Sequence, residues 1–436
     1  MRARTLRDLV RASNRSPLRR VAALAAVTLA SALGAAPAQA KSLSVLDPAA
    51  DSGGQIVVDA AGNGYVAWLH HGSPDAVMFC KLSTAGACKS AVTLPAPAAS
   101  PSNAQPDQPF ALLAATTDVF VVDPRSVPGD VVYWLSTDGG QTFGAPVDIT
   151  AAGDFTADTT VADILLDPSE PSLTATPPVA NFDIASTTPG LGYSWVPSNL
   201  TPGASQTSFS FTTPSTGTVG TAALGEQPNG YPLEAFSTIG TGALGSPDTV
   251  YFVRQTAAAA LGSPLSSAWT ANATLVGPGY LPVLAGGPKG LFLAYESYAT
   301  EGLTGAPSSL LVEPYDQASG TFSTGPSIAD DQPQQTAAME AGAINENATT
   351  GELAVVWPKL VGSKTVMRLW TSKNGGATFK GPVTIATIAS GYGGTASLAL
   401  NAKGGGLVAF RTSSGLQLTN LASLAKPKPK KHKHKH

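Results

Sequence analysis

The chain has little charge, two cysteines and few histidines, and each shortage excludes something. Of its 436 residues, 13% are Asp, Glu, Lys or Arg, about half the usual ~25%. Long amphipathic helices need charged outer faces and avoid proline. This chain instead carries 45 Gly and 35 Pro, which points to an all-β fold of short strands and tight turns. Past residue 40, no stretch reaches the ~18 apolar residues of a spanning helix, so no transmembrane segment is expected. Between residues 41 and 425 the histidines are His70 and His71 alone. No metal-ligand spacing and no Gly-rich loop before a helix occur, so no metal and no cofactor are expected. A Ser–His–Asp site lacks any flanking nucleophile motif.

The ends of the chain differ from its body. Residues 1–20 hold seven Arg, including Arg19-Arg20, against Asp8. An apolar run to about Ala36 and the small-x-small Ala38-Gln39-Ala40 follow. This pattern reads as a signal peptide over 1–40, exported by Sec, with a twin-arginine route open. The mature chain is expected outside the cell or on its surface. At the other end, residues 425–436 alternate Lys, Pro and His. They read as a disordered tail able to contact an anionic surface. The acidic body argues against nucleic acid as a partner, and a monomer is expected. Cys80 and Cys88, an even pair in an exported chain, read as a disulfide clasping one hairpin.

A β-rich word ending in an aromatic recurs through residues 41–424. It appears as Tyr65-Val66-Ala67-Trp68, Leu191-Gly192-Tyr193-Ser194-Trp195, Glu234-Ala235-Phe236, Phe292-Leu293-Ala294-Tyr295, Ala354-Val355-Val356-Trp357 and Leu407-Val408-Ala409-Phe410, with Val119-Phe120-Val121-Val122 filling the gap. The seven copies average 57 residues apart from Trp68 to Phe410, a spacing that suits four-stranded propeller blades with long loops. Blade boundaries are expected near 97, 152, 218, 278, 331 and 389. Ser42–Leu46 resembles a last strand and is expected to complete the final blade, which removes two open sheet edges. Residues 152–180 fit least well, which leaves six blades as the alternative to seven. Asp59 and Asn63 flank a Gly/Asn turn, read as a hairpin turn in preference to a calcium loop.

A second hairpin follows each word. In two repeats it is sharply defined: Ser136-Thr137-Asp138-Gly139-Gly140-Gln141-Thr142-Phe143 and Ser372-Lys373-Asn374-Gly375-Gly376-Ala377-Thr378-Phe379, with a weaker copy at Asp316–Phe322. These octapeptides resemble the Asp box, S-x-D-x-G-x-T-F/W, of sialidase-like (BNR-repeat) β-propellers. The resemblance implies a turn between a blade's third and fourth strands. Ser136, Asp138, Gly140, Thr142 and Phe143, with Ser372, Asn374, Gly376, Thr378 and Phe379, are therefore structural residues.

The same resemblance implies what a catalytic member should carry: three arginines, a Tyr–Glu nucleophile, an acid/base Asp and an early F/Y-R-I-P motif. That motif is missing, and the mature chain has only Arg125, Arg254, Arg368 and Arg411. Arg368, in a strand leading to an octapeptide, is expected on an outer blade surface. No catalytic residue is assigned. Candidate ligand-binding residues are Glu234 and Glu296, within or beside the recurring words, and His70 and His71, just after Trp68. The sequence thus points to a secreted or cell-surface propeller that binds a glycan, peptide or envelope component without catalysis. The alternative is a divergent sialidase-like glycoside hydrolase.

Overall fold

Turn residues punctuate the chain closely, and among the described residues every regular element longer than one turn is a strand. The computed structural model describes residues 44–50, 53–59, 61–83, 86–96, 111–115, 117–124, 131–148, 161–167, 181–186, 192–197, 207–210, 218–239, 248–257, 269–270, 272–298, 307–333, 342–389, 396–402 and 405–421. The expected signal segment, the basic tail and Arg125 lie outside these ranges. No helix among the described residues is long and apolar enough to cross a membrane.

After β1 (Ser44–Asp47), the strands β2 (Gln55–Val58), β3 (Gly64–His70), β4 (Ala76–Leu82) and β5 (Val92–Thr93) form one antiparallel sheet in chain order. The second sheet is β6 (Ala111–Ala115), β7 (Asp118–Pro124), β8 (Val131–Ser136) and β9 (Val147–Asp148). The third is β10 (Val161–Asp167), β11 (Asn181–Ser186), β12 (Gly192–Pro197) and β13 (Thr207–Ser210). Next come β14 (Thr218–Glu226), β15 (Pro232–Ile239), β16 (Thr249–Arg254) and the long β17 (Thr274–Gly287).

β17 serves two sheets. Thr274–Pro278 pairs with β16, and Gly279–Gly287 pairs with β18 (Gly290–Tyr298). The second half continues into a sheet with β19 (Pro307–Asp316), which is flanked by β20 (Thr321–Phe322) and β21 (Ser327–Pro333). The sixth sheet is β22 (Ala343–Glu346), β23 (Leu353–Val361), β24 (Lys364–Ser372) and β25 (Lys380–Ala389). The last is β26 (Ser397–Leu400), β27 (Gly406–Thr412) and β28 (Gly415–Asn420), with β1 beside β28 as its fourth strand.

Among the described side chains, second strands are buried on both faces, as β3 and β23 show. Along β3, Tyr65, Ala67 and Leu69 pack with Leu112, Val119, Val121 and Trp134 of the second sheet. Val66 and Trp68, pointing the other way, pack with Leu407, Ala409 and Leu418 of the last sheet. β23 repeats the pattern: Val355 and Trp357 face Phe292 and Leu310, while Ala354 and Val356 face Val408 and Phe410. Trp68, Trp357 and Phe410 thus hold equivalent places, each turned toward the sheet that precedes its own.

The first strands lie against one another in succession: β2 on β6, β6 on β10, β10 on β14, β14 on β17, β17 on β22, β22 on β26 and β26 on β2. Each first strand has an edge with no ladder partner, and polar side chains of its neighbour meet that edge. Ser397 Oγ accepts from Ile56 N (3.0 Å), Asp163 Oδ2 from Leu224 N (2.8 Å) and Asn345 Oδ1 from Leu400 N (3.1 Å). Open backbone groups are satisfied in this way without a further strand.

The recurring word of the third repeat sits differently from the others: Gly192–Trp195 lies on β12, the third strand of its sheet, whereas the other words lie on second strands.

The octapeptides form matching turns. Ser136 Oγ donates to Asp138 Oδ1 (2.7 Å) and accepts from Gly140 N (2.8 Å). Asp138 Oδ1 accepts from the amides of Gln141 and Thr142 (2.8 and 2.9 Å), and Thr142 Oγ1 donates to Oδ2 (2.6 Å). Thr142 and Ser136 hold the Asp138 carboxyl well below its ordinary pKa. Ser372, Asn374, Gly376 and Thr378 repeat the geometry, with Asn374 Oδ1 accepting from Thr378 N at 3.0 Å and Nδ2 donating to Thr378 Oγ1 at 2.9 Å. Gly140 has φ 83°, and a Cβ there would stand 2.5 Å from Phe79. Phe143 meets Phe79 of the first sheet edge-on at 4.8 Å, and Phe379 packs on the cluster of Trp357 and Trp370. In the first sheet the corresponding place holds the Cys80–Cys88 disulfide, which closes the turn at Ser83–Ala87. Asp59 takes up the amide and side chain of Asn63 and the hydroxyl of Tyr65, as a hairpin turn requires.

Asn374 shows that an amide can replace the turn carboxylate. Asp138→Asn is therefore expected to melt close to the wild type, whereas Asn374→Ala should lose about 1 kcal/mol, the scale of a lost capping side chain. Urea unfolding checks both.

Candidate functional site

Strand direction sorts the candidate residues by edge. The turns between first and second strands, and the octapeptides between third and fourth, lie at one edge of each sheet. His70 ends β3 and Glu296 lies near the end of β18, so both stand at the opposite edge. Glu234, third in β15, lies near the octapeptide edge. The structure therefore brings His70 and Glu296 to one edge and does not bring Glu234 to them.

Glu296 is fully buried and held by aromatic donors. Tyr280 Oη donates to Oε2 and Trp357 Nε1, from the next sheet, to Oε1, both at 2.6 Å. The backbone beside Tyr280 is unusual. Leu281 has φ 55°, and the register steps from Tyr280↔Glu296 to Val283↔Ala294, one extra residue on β17. A bulge of this kind re-aims its neighbours, and a non-glycine residue at positive φ is uncommon. The result fixes the partly exposed Tyr280 at the end of an innermost strand.

His70 shares a similar arrangement. Asp47 Oδ2 accepts from Trp68 Nε1 (2.6 Å) and lies 2.8 Å from His70 Nδ1, while Oδ1 accepts from Ala49 N (2.9 Å). Burial pushes Asp47 up, but the bonds from Trp68, His70 and Ala49 outweigh it and leave the carboxyl below its ordinary pKa. The His70 side chain is 40% exposed, so Asp47 orients a ring that solvent can reach. His71 is more exposed and pairs with Asp75 at 3.1 Å.

Glu234 is a different case. It is completely buried, and neither carboxyl oxygen has a hydrogen-bond partner. Burial, with a contribution from the Asp163 charge, raises its pKa well above the ordinary value. Arg368 also departs from expectation. It lies 6% exposed, opposite Trp357 in the ladder and 4.8 Å from the Trp370 ring, so it is inside and not on an outer surface. Cross-strand partners share a face, and the Trp357 face is buried.

Sequence reasoning missed Asp47, Tyr280 and Asp163. Their contacts join residues 16, 21 or 61 positions apart, and only pairing registers reveal such contacts. Among the described residues no group of three or more His, Cys, Asp or Glu could hold a metal ion.

The sign of the Glu234 effect follows from its raised pKa. The folded state keeps a proton that the unfolded chain releases above about pH 4.5. Its stabilising contribution is present below that pH and is lost as pH rises through the folded value. Glu234→Gln is expected to stabilise the protein by about 1–3 kcal/mol near pH 8 and to change little near pH 4. Thermal unfolding at the two pH values checks this.

No protein-family model matches the chain, and no curated protein matches it in sequence. Among solved structures, a polysaccharide lyase of family PL25, an ulvan lyase, is similar with TM-score 0.49 and 10% identity, over 88% of this chain and 94% of that one. The α-L-arabinanase of Penicillium chrysogenum gives 0.43 and 11%, over 88% and 96%. The six-bladed, fucose-recognising lectin of Aleuria aurantia gives 0.42 and 12%, over 71% and 89%. At these values the likenesses assign neither a family nor an activity.

Proposed function

We propose that the chain is a secreted or cell-surface seven-bladed β-propeller with Asp-box hairpins, which binds an extracellular glycan, peptide or envelope component without catalysis. The cycle of first strands from β2 through β26 and back to β2 supports ring closure. The four strands β10–β13 support a blade in the third repeat and hence seven over six. Residues 1–40 serve as the export signal, 41–424 as the propeller and 425–436 as a basic tail. The disulfide suits an oxidising compartment.

The observation that carries the non-catalytic reading is how the acids are employed. A glycosidase needs two carboxyl groups facing a cleft that admits substrate. Glu296 and Asp47 have both oxygens engaged by protein donors. Glu234 has a raised pKa, as an acid catalyst needs, but it is fully buried. What the edge at His70 and Tyr280 offers is an oriented imidazole and an oriented phenol. Such groups suit a neutral, hydroxyl-rich ligand, for which stacking and hydrogen bonding count more than charge.

A glycan array probed with the mature protein, followed by hydrolysis assays on each hit, tests this reading. Binding without turnover is expected, with His70→Ala weakening it about tenfold, while Tyr280→Phe should weaken it and also lower the melting temperature, because buried Glu296 loses a donor. Turnover abolished by Glu234→Gln would establish the hydrolase reading instead.

A further inference from the structure

The sequence contains three Asn-Gly pairs: Asn63-Gly64, Asn229-Gly230 and Asn374-Gly375. Such a pair can react with itself. The glycine nitrogen loses its proton and attacks the asparagine Cγ, ammonia leaves, and a succinimide ring remains. Water then opens the ring at one carbonyl or the other and yields aspartate or isoaspartate. Glycine has no side chain to hinder the approach, so water is the one co-reactant. Whether the reaction occurs in the folded chain depends on how firmly the asparagine side chain is held away from the next nitrogen.

Two of the pairs are held. Asn63 Nδ2 donates to Asp59 Oδ2 (2.7 Å) and its backbone amide to Asp59 Oδ1 (2.8 Å). Gly64 is buried as the first residue of β3. Asn374 is exposed, but its side chain is clamped at both ends. Oδ1 accepts from Ser372 Oγ (2.9 Å) and Thr378 N (3.0 Å), and Nδ2 donates to Thr378 Oγ1 (2.9 Å).

Asn229 is held by far less. It lies in the turn Gln227-Pro228-Asn229-Gly230-Tyr231 between β14 and β15. In the corresponding turn of the first sheet, the Asp59 side chain takes up the turn's own amide. Here the Gln227 side chain is drawn inward instead. Its Nε2 donates to Pro232 O (3.0 Å) and Gln255 O (2.9 Å), and its Oε1 accepts from Tyr315 Oη (3.1 Å). The tip is left to Asn229, which is exposed together with Pro228. Asn229 Oδ1 accepts from Tyr231 N at 3.2 Å, and among the described residues no bond holds Nδ2. The attacking atom, Gly230 N, donates to Gln227 O at 2.9 Å. That bond belongs to the turn and to no strand ladder, so its opening disturbs little else.

We infer that Asn229 is a site of spontaneous covalent modification, the first of the Asn-Gly pairs to deamidate. Either product adds a negative charge to the octapeptide edge. The isoaspartate product also adds a methylene to the main chain ahead of Gly230, which removes the bond from Gly230 N to Gln227 O. The base of the turn survives, because the buried Gln227 is anchored to β15, β19 and the segment after β16. The inference is independent of what the protein binds.

Peptide mapping by mass spectrometry, on mature protein kept for days in mildly alkaline buffer, tests it. The peptide holding residue 229 is expected to gain one dalton at least about tenfold faster than those holding 63 or 374, which must first give up two or more bonds. In guanidinium the three sites should convert at comparable rates. Both aspartate and isoaspartate should appear at 229, as the succinimide route requires. Asn229→Gln should abolish the fast conversion and melt near the wild type. The inference fails if Asn229 in the folded protein converts no faster than Asn63 and Asn374. It also fails if Asn229 persists in the folded chain while converting in guanidinium, or if aspartate alone is formed.

Discussion

Burial of each sheet on both faces is the constraint from which the rest of the molecule follows. A strand exposes alternate residues to opposite sides, so a second strand such as β3 must supply two different cores at once. Tyr65, Ala67 and Leu69 serve one, and Val66 and Trp68 the other. No sheet can meet this demand alone, because its apolar faces are covered only by the sheets before and after it. The last sheet shares a core with the first, through Leu407, Ala409, Leu416 and Leu418 against Ile56, Val66 and Trp68. The low charge of the chain is the same fact seen in composition. With both faces covered, only the edges and outer strands remain to be wetted, and Ser, Thr, Asn and Gln there suffice.

Two-sided burial also decides what becomes of the acids. A carboxylate between sheets loses water, and the loss must be offset by donors. Aromatic donors from an adjacent strand or sheet supply them: Trp68 for Asp47, Trp357 for Glu296, and Tyr295 for Glu313. The indoles that mark the repeat thus do more than fill space, for their N–H groups make buried charge tolerable. Glu234 has no such donor, and burial raises its pKa well above the ordinary value. An aromatic donor offsets only part of that cost, for burial still raises the Glu313 pKa although Tyr295 donates to it.

This explains why the fold was legible in the sequence and much of the candidate site was not. The repeat shows because two-sided burial requires apolar, aromatic-ended words at each turn of the architecture. The octapeptides show because their bonding is local: Ser136 to Asp138 and Gly140, or Asn374 to Thr378, spans at most four residues. The third repeat differs because its aromatic word sits on β12, the third strand of its sheet, where the other words lie on second strands. The site was harder. His70 and Glu296 stood out as residue types, but Asp47 and Tyr280 derive their meaning from partners 23 and 16 positions away. Arg368 looked external because octapeptide turns are external, while its ladder register opposite Trp357 turns it inward.

The two edges are not equivalent, and the difference bears on where recognition can arise. At the octapeptide edge the connections run from two residues (288–289) to nineteen (255–273), and in the tight ones side chains satisfy backbone amides, as Asp59, Asp138, Asn347 and Asn374 do. A substitution there alters the turn itself. At the opposite edge the connections range from two residues (362–363) to seventeen (94–110). Such loops tolerate change because the sheets beneath them are fixed by their cores. Specific binding is thus easier to build beside His70 and Tyr280, where orientation comes from buried carboxylates and the loops are free to vary. The octapeptide edge can accept charge, since lysines at turn positions such as 289 and 373 make none of the turn's own side-chain bonds.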